Sequence, residues 1–330
     1  MILAGDVGGT KTNIASFDVA DGRVVRRLVK RYRNSEYRSL LAIIQEFRTE
    51  AGMTIDCAAF GVAGPVVNGR CEATNLPWVV DAREIASTLG VAQVGLINDL
   101  EATAYGILQL QETDTLGLNV GTAAPHGTMA VIAAGTGLGE GGLIWNGTRY
   151  QALASEGGHT DFAPRNELEI DLLRYLLSMY KRVSYERVVS GMGIVNLYRF
   201  FRTRLGTPEP KWLKDELTTG DAASAIATAA LAGKDEACRR AMDLFVSLYG
   251  AEAGNLALKL LATGGVYVAG GIAPKILPLL QQSTFMDAFS EKGRLSALVK
   301  SMPVHVVLND NAALYGAAHF ASTIIERCLP

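Results

Sequence analysis

The stretch Gly5-Asp6-Val7-Gly8-Gly9-Thr10-Lys11-Thr12 constrains this chain more than any other. A short apolar run, Ile2 to Ala4, leads into it, and Asn13 to Asp18 leave it with the alternation of a half-buried strand. It therefore reads as the turn of a hairpin. Gly5, Gly8 and Gly9 are expected to take positive φ and bring backbone N–H groups close to an anion, where a Cβ would obstruct. Thr10 and Thr12 add hydroxyls, and Lys11 adds a positive charge. The same glycines also suit a plain turn in a β-meander. Asp6 separates the two readings, because a carboxylate beside a phosphate loop is repulsive unless a metal such as Mg²⁺ sits between them. A Walker loop is excluded: it needs Gly directly before Lys and a helix afterwards, whereas Thr10 precedes Lys11 here and a strand pattern follows.

The partner of that loop can be narrowed by charge. A formal net of -2 over 330 residues leaves no basic excess for nucleic acid or for an anionic membrane surface. The amino terminus carries no signal pattern and no apolar run reaches membrane-spanning length, so a soluble cytoplasmic protein is expected. Cys57, Cys71, Cys238 and Cys328 lie far apart without a CxxC pair, which implies neither a zinc site nor a disulfide framework.

Beyond the first hairpin, Arg23 to Tyr32 read as a third antiparallel strand, Ser39 to Ala51 as a helix stopped by Gly52, and Cys57 to Ala63 as a buried strand. Asn68-Gly69 marks another hairpin, Asp81 caps a helix through Leu89, and Val94 to Ile97 form a buried strand that delivers Asn98-Asp99. A helix is expected over Leu100 to Leu110. A second unit begins near Gly117, with a strand over Ala130 to Ala134, a glycine turn Gly135-Thr136-Gly137-Leu138-Gly139, and a strand over Gly142 to Trp145. Ala4-Gly5 and Gly9 line up with Ala134-Gly135 and Gly139, a weak internal duplication in which two glycine hairpins can grip a polyphosphate. Gly137 to Gly142 also spell GxGxxG, but a strand pattern follows where the dinucleotide motif demands a helix. Helical spacing marks Leu168 to Tyr180, Ala222 to Ala232, Glu236 to Ala262 and Pro274 to Leu280. Thr207 to Lys211 reads as a loop. Gly265 to Ala269 reads as a buried strand ending at Gly270-Gly271, Val304 to Val307 as the last strand, and Asn311 to Ile325 as a final helix.

Asn98-Asp99 stands at the carboxyl end of a buried strand, where open α/β sheets hold ligands; Asp99 can take a hydroxyl proton there, and both residues equally suit a helix N-cap. Glu156-Gly157-Gly158-His159 joins an acid and an imidazole through a close-approach turn suited to a ligand with several hydroxyls. Glu186 suits either that ligand or a solvated helix start, and Asn75 either a cleft or a turn. No third His or Cys stands near Glu156 and His159 at ligand spacing, which argues against zinc. His126 and His305 read as structural.

Taken together, these segments resemble the bacterial-type glucokinases, the zinc-free branch of glucokinases within the actin, hexokinase and heat-shock ATPase superfamily. Gly5-Asp6-Val7-Gly8-Gly9-Thr10 is similar to the family's first phosphate loop, Gly135-Thr136-Gly137-Leu138-Gly139 to its second, and Ala269-Gly270-Gly271-Ile272 to its adenosine-side motif. Asn98-Asp99, Glu156-Gly157-Gly158-His159 and Tyr185-Glu186-Arg187 resemble its sugar-binding set. The motifs stand in family order from one end of the chain to the other. The related repressor, open-reading-frame and kinase family carries a cysteine-rich zinc loop after its Glu-Gly-His segment, and this chain has no cysteine between Cys71 and Cys238.

The resemblance implies a two-domain α/β chain of the actin-like ATPase, ribonuclease H-like fold, with mixed sheets, packed helices and an interdomain cleft. The small domain is expected over 1–110 with the helix 312–330 packed back on it, and the large domain over 111–311. It further implies ATP-dependent phosphorylation of glucose at its 6-hydroxyl, with Asp99 as general base. Asn98, Glu156, His159 and Glu186 would hold the other hydroxyls. Gly5, Asp6, Val7, Gly8, Gly9, Thr10, Gly135, Thr136, Gly137, Gly270 and Gly271 would hold ATP, and Asp6 would orient Mg²⁺ through water. A homodimer is implied as well. A kinase for another hexose or N-acetylhexosamine, or a sugar sensor of the same fold, are the alternatives. A sensor has no need of a base at Asp99.

Overall fold

A computed structural model describes residues 1–328 other than 53, 73–75 and 77. The chain divides into two compact units. The first holds Met1–Asp114, Thr148–Ala154 and Asn309 onward; the second holds Thr115–Gly147 and Ser155–Leu308.

The first unit opens with three antiparallel strands, β1 (Ile2–Val7), β2 (Lys11–Ala20) and β3 (Arg23–Arg33). In helix α1 (Leu40–Ala51) the Ser39 hydroxyl accepts from Ala42 N–H at the start, and Gly52 ends the helix at φ 58°, a left-handed position that glycine takes without strain. Strand β4 (Cys57–Val62) then runs parallel to β1. A small sheet of β5 (Val66–Val67), β6 (Arg70–Cys71) and β7 (Val80–Asp81) follows, and Asp81 caps α2 (Ala82–Leu89). Strand β8 (Val94–Asn98) lies parallel to β4 and passes directly into α3 (Asp99–Ile107), completing the sheet order β3-β2-β1-β4-β8.

The carboxyl-terminal helix, Ala312–Cys328, belongs to this unit and presses Leu314, Ala317, Ala318 and Ala321 onto Ile2, Ala4, Phe17 and Ala59. It meets α3 backbone to backbone. A Cβ on Gly316 would lie 1.7 Å from the Ala102 carbonyl oxygen, and one on Gly106 would lie 2.0 Å from that of Ala312. That contact fixes the helix at whose first turn Asp99 sits.

In the second unit, β9 (Thr115–Gly117) is followed by the hairpin β10 (Met129–Ala134) and β11 (Leu138–Trp145). Strand β12 (Tyr150–Leu153) falls in the short stretch that belongs to the first unit, and its Ala152 N–H donates to the Tyr105 hydroxyl of α3 at 3.2 Å. Helices α4 (Glu167–Leu177), α5 (Gly191–Leu205), α6 (Lys211–Thr219), α7 (Ala222–Leu231) and α8 (Glu236–Leu260) come next. Strands β13 (Gly265–Ala269) and β14 (Val304–Val307) extend the sheet in parallel from β10, with β9 antiparallel at its edge. The core joins Ala130, Ile132 and Val268 of the sheet to Tyr198 of α5 and Phe245 and Tyr249 of α8.

Several expectations are corrected. Gly5 and Asp6 lie inside β1, so the first turn is confined to Gly8–Thr10, and none of Gly5, Gly8 and Gly9 has positive φ. Gly5 is required by packing instead: a Cβ there would stand 2.3 Å from a ring carbon of Phe60. The duplication survives as topology but not in its alignment. Gly5 lies two residues before the end of β1, whereas Gly135 follows the end of β10. Leu138 and Gly139 belong to β11 and not to the turn. Lys211 opens α6 after Pro210 and is not part of a loop, and α5 has no counterpart among the expected helices.

Candidate functional site

In the first unit the parallel strands β1, β4 and β8 end together, so the first glycine turn and Asn98-Asp99 leave the same end of one sheet. The turn is pinned by Asn34 at the end of β3. Its Nδ2 donates to the carbonyls of Gly8 at 2.7 Å and Gly9 at 3.2 Å, and its Oδ1 accepts from Thr12 Oγ1 at 2.8 Å. Asn34 is 2% exposed. No sequence signal marks it, since it stands in the polar run Arg31 to Glu36 that resembles any surface loop.

Asp6 faces Asn13 across the β1–β2 ladder, and Asn13 faces Arg31 across β2–β3. Asn13 Nδ2 donates to Asp6 Oδ2 at 3.1 Å and Arg31 Nε donates to Asn13 Oδ1 at 3.0 Å. Burial pushes the Asp6 carboxyl above the ordinary carboxylate range, opposed by the Asn13 hydrogen bond and by the charges of Lys11 and Arg31. A buried carboxylate at the base of a glycine turn suits a cation. Among the described residues no group of three or more His, Cys, Asp and Glu could hold a metal.

Asn98 caps α3 in full: its Oδ1 accepts from Leu100 N–H at 2.8 Å and its N–H donates to Glu101 Oε2 at 3.0 Å. Its Nδ2 also ties the chain to the Gly64 carbonyl at 3.1 Å. Asp99 is the first residue of α3 and partly buried, with its Oδ1 accepting from Leu100 N–H at 2.9 Å.

In the second unit the turn Gly135–Gly137 and the Gly270-Gly271 bend leave the adjacent carboxyl ends of β10 and β13. Backbone bonds join them: Ile272 N–H donates to the Ala134 carbonyl at 3.2 Å, Gly191 N–H to that of Gly135 at 2.8 Å, and Gly135 N–H to that of Gly137 at 2.9 Å. Gly270 has φ 85°, and a Cβ on it would lie 2.3 Å from the Ala134 oxygen, so packing alone demands this glycine. A Cβ on Gly271 would meet nothing within 4 Å among the described residues. Below them the Tyr249 hydroxyl accepts from Ala134 N–H at 3.2 Å.

The two polar segments meet beside this turn. Glu186 Oε2 accepts from Leu138 N–H at 3.1 Å, and Glu186 Oε1 lies 4.0 Å from His159 Nδ1. Gly158 rests on β11, where a Cβ would meet the Leu138 carbonyl oxygen at 2.0 Å. Glu156 and His159 are exposed, and Arg182 donates to the His159 carbonyl at 2.5 Å. The second unit thus brings together Gly135, Thr136, Gly137, Glu156, His159, Glu186, Gly270 and Gly271, and the first brings together Asp6, its loop, Asn98 and Asp99.

The remaining candidates play other parts. His126 stacks on Trp145 at 4.1 Å and His305 on Tyr267 at 5.4 Å; burial lowers the pKa of His305. Asn75 lies outside the described residues. Cys57, Cys71 and Cys238 are buried free thiols. Among the described residues no helix is long and apolar enough to cross a membrane.

A family model described as Glucokinase matches residues 3–324. A glucokinase from Nostoc sp. is 45% identical, with 98% of this chain and 99% of that protein covered, and one from Cronobacter sakazakii is 36% identical over 98% and 97%. The crystal structure of a glucokinase from an Antarctic psychrotroph superposes with a TM-score of 0.86 at 30% identity, covering 98% of each chain. The architecture is therefore the α/β actin-like ATPase fold. With a family match that spans nearly the whole sequence and relatives of this identity aligned along their full length, the chain belongs to the glucokinase family.

Proposed function

We propose that Asp99 is the general base with which this glucokinase-family enzyme moves the γ-phosphoryl group of ATP to the 6-hydroxyl of glucose. The observation that carries the assignment is the position of Asp99 in the first turn of α3, at the same end of the sheet as the Gly8–Thr10 turn. Asp99 accepts the 6-hydroxyl proton as that oxygen bonds the γ-phosphorus and the bond from phosphorus to the bridging oxygen breaks, releasing ADP. Glu156, His159 and Glu186 pair with the other sugar hydroxyls, and Asn98 holds the turn that presents Asp99 while offering its amide to the sugar. A polar set of this kind discriminates strongly, because a sugar with a missing or inverted hydroxyl leaves one of these groups without its partner.

Gly5, Val7, Gly8, Gly9 and Thr10 with Asp6, and Gly135, Thr136 and Gly137, are assigned to the phosphates; Gly270 and Gly271 are assigned to the adenosine. Magnesium, held by Asp6 and the phosphates, would neutralise charge that develops on the β and γ oxygens. A cytoplasmic homodimer completes the reading. The support for the homodimer is the resemblance of the motifs.

An ADP-release assay with Mg-ATP against glucose, mannose, fructose, galactose and N-acetylglucosamine tests the substrate, and preference for a sugar other than glucose would overturn it. Asp99→Asn is expected to keep glucose binding while kcat falls by about 10²–10⁴. Near-normal turnover in that variant would remove Asp99 from the base role.

A further inference from the structure

Two carboxyls that phosphoryl transfer does not use are buried beneath the polar segments. Glu140 of β11 is 1% exposed and Glu252 of α8 is 0% exposed, and the two face each other. Glu252 is well served: Lys259 Nζ donates to its Oε1 at 2.9 Å and Asn255 Nδ2 to its Oε2 at 2.8 Å. Glu140 is not, since its Oε1 has no hydrogen-bond partner among the described residues. A Cβ on Gly157 would lie 2.3 Å from Glu140 Oε2 and 2.9 Å from Glu140 Cβ, so the Glu156-Gly157-Gly158-His159 turn rests directly on the Glu140 side chain. On the other side, Asn255 Nδ2 also donates to the Tyr185 hydroxyl at 3.2 Å, which connects the cluster to the residue preceding Glu186.

We propose that Glu140 is a positioning residue for the sugar: it shares a single proton with Glu252, and the pair supports the turn that carries Glu156 and His159 and the segment that carries Glu186. The inference rests on the reading that these residues bind the sugar. Its physical basis is charge balance in a dry site. Two ionised carboxylates this close would need two cations bonded to them; Lys259 bonds Glu252, Lys292 is bonded to Ala251 O and Asn255 Oδ1 instead, and Glu140 Oε1 has no hydrogen-bond partner among the described residues. Burial first, and the charge of Glu252 second, push Glu140 up to about 8, with Lys259 opposing. The other titratable groups around the pair are Tyr249 facing Glu140 and Tyr185 and Lys292 facing Glu252, with Arg165 behind them. Lys292 donates to Asn255 Oδ1 at 2.7 Å, and burial depresses it to about 8. Loss of the shared proton places two like charges under Gly157 and loosens the turn.

The test is the pH profile of glucose KM, ATP KM and kcat for the wild type, Glu140→Gln, Glu140→Ala and Glu156→Gln. Glu140→Gln keeps the shape of the neutral acid and cannot ionise. In the wild type, glucose KM is expected to rise about threefold or more as pH passes through about 8, with ATP KM unmoved. Glu140→Gln should flatten that rise, and Glu140→Ala should raise glucose KM at every pH. If Glu140→Gln keeps the wild-type rise, the proton lies elsewhere, with Lys292 the first suspect, and the inference falls. It also falls if Glu156→Gln raises glucose KM while neither Glu140 variant moves it. If none of the three moves glucose KM, the sugar-site reading itself has failed.

Discussion

The two units build the same device and hold it in different ways. In each, an antiparallel hairpin lies beside a parallel strand, β1–β2 beside β4 in the first and β10–β11 beside β13 in the second, and a glycine turn sits at the tip. The first turn is secured by one buried side chain, Asn34, and carries the charges of Asp6 and Lys11 at its base. The second is secured by backbone contact with Gly270, Gly191 and Ile272 and has no charged residue in the turn; its acid, Glu140, is buried beneath. A repeated topology therefore does not imply repeated chemistry. One turn is pinned by the Asn34 side chain, and the other by backbone contacts together with the Glu186 carboxylate at Leu138 N–H.

The largest expected effect that would break this contrast is in the second unit. Gly270→Val puts a branched residue at φ 85° and drives its Cβ into the Ala134 carbonyl, so thermal unfolding should show a loss of about 3 kcal/mol or more. A fully stable variant would mean that β13 and β10 are not held by glycine contact. Next comes Asn34→Ala, which removes three hydrogen bonds and leaves the buried Thr12 hydroxyl without its acceptor. It should cost about 1–3 kcal/mol and raise ATP KM more than glucose KM; an unchanged ATP KM would show that the first turn does not need its pin.

A smaller effect separates the two acids. Glu140 has a raised pKa in the folded chain, so the native state keeps a proton that the unfolded chain has released above the ordinary glutamate range. The stability this proton brings is complete below that range and is lost as pH rises through about 8. Relative to Glu140→Gln, the wild type should therefore weaken by about 1 kcal/mol between pH 7 and 8 in denaturant titrations. A constant gap would contradict the shared proton. The smallest expected change is Gly271→Ala, where open space should keep stability within about 0.5 kcal/mol, so any rise in ATP KM there reports on the ligand.

Sequence determined what is local. Hairpin turns, the caps at Asn98 and Asp81, the stop at Gly52 and the strand that presents Asp99 all follow from neighbours a few residues apart, and they were legible, whereas Ser39 was read as the first helical residue and is the cap. The first turn was legible in kind, but the reason for Gly5 was not, because it depends on Phe60 in a strand more than fifty residues away. Helix α5 was obscured by Gly191 and Gly193 at its start, where a Cβ on Gly193 would meet the Val188 carbonyl carbon at 2.5 Å. A lone acid in the glycine-rich and apolar run around Glu140 was a visible signal, yet its partner lies on a helix over a hundred positions later. Only the tertiary structure brings Asn34 to Gly8, Glu186 to Leu138 and Glu252 to Glu140. Local backbone preference acts over one or two turns of chain, whereas the pairing of a buried polar group is decided by whichever distant segment packs against it.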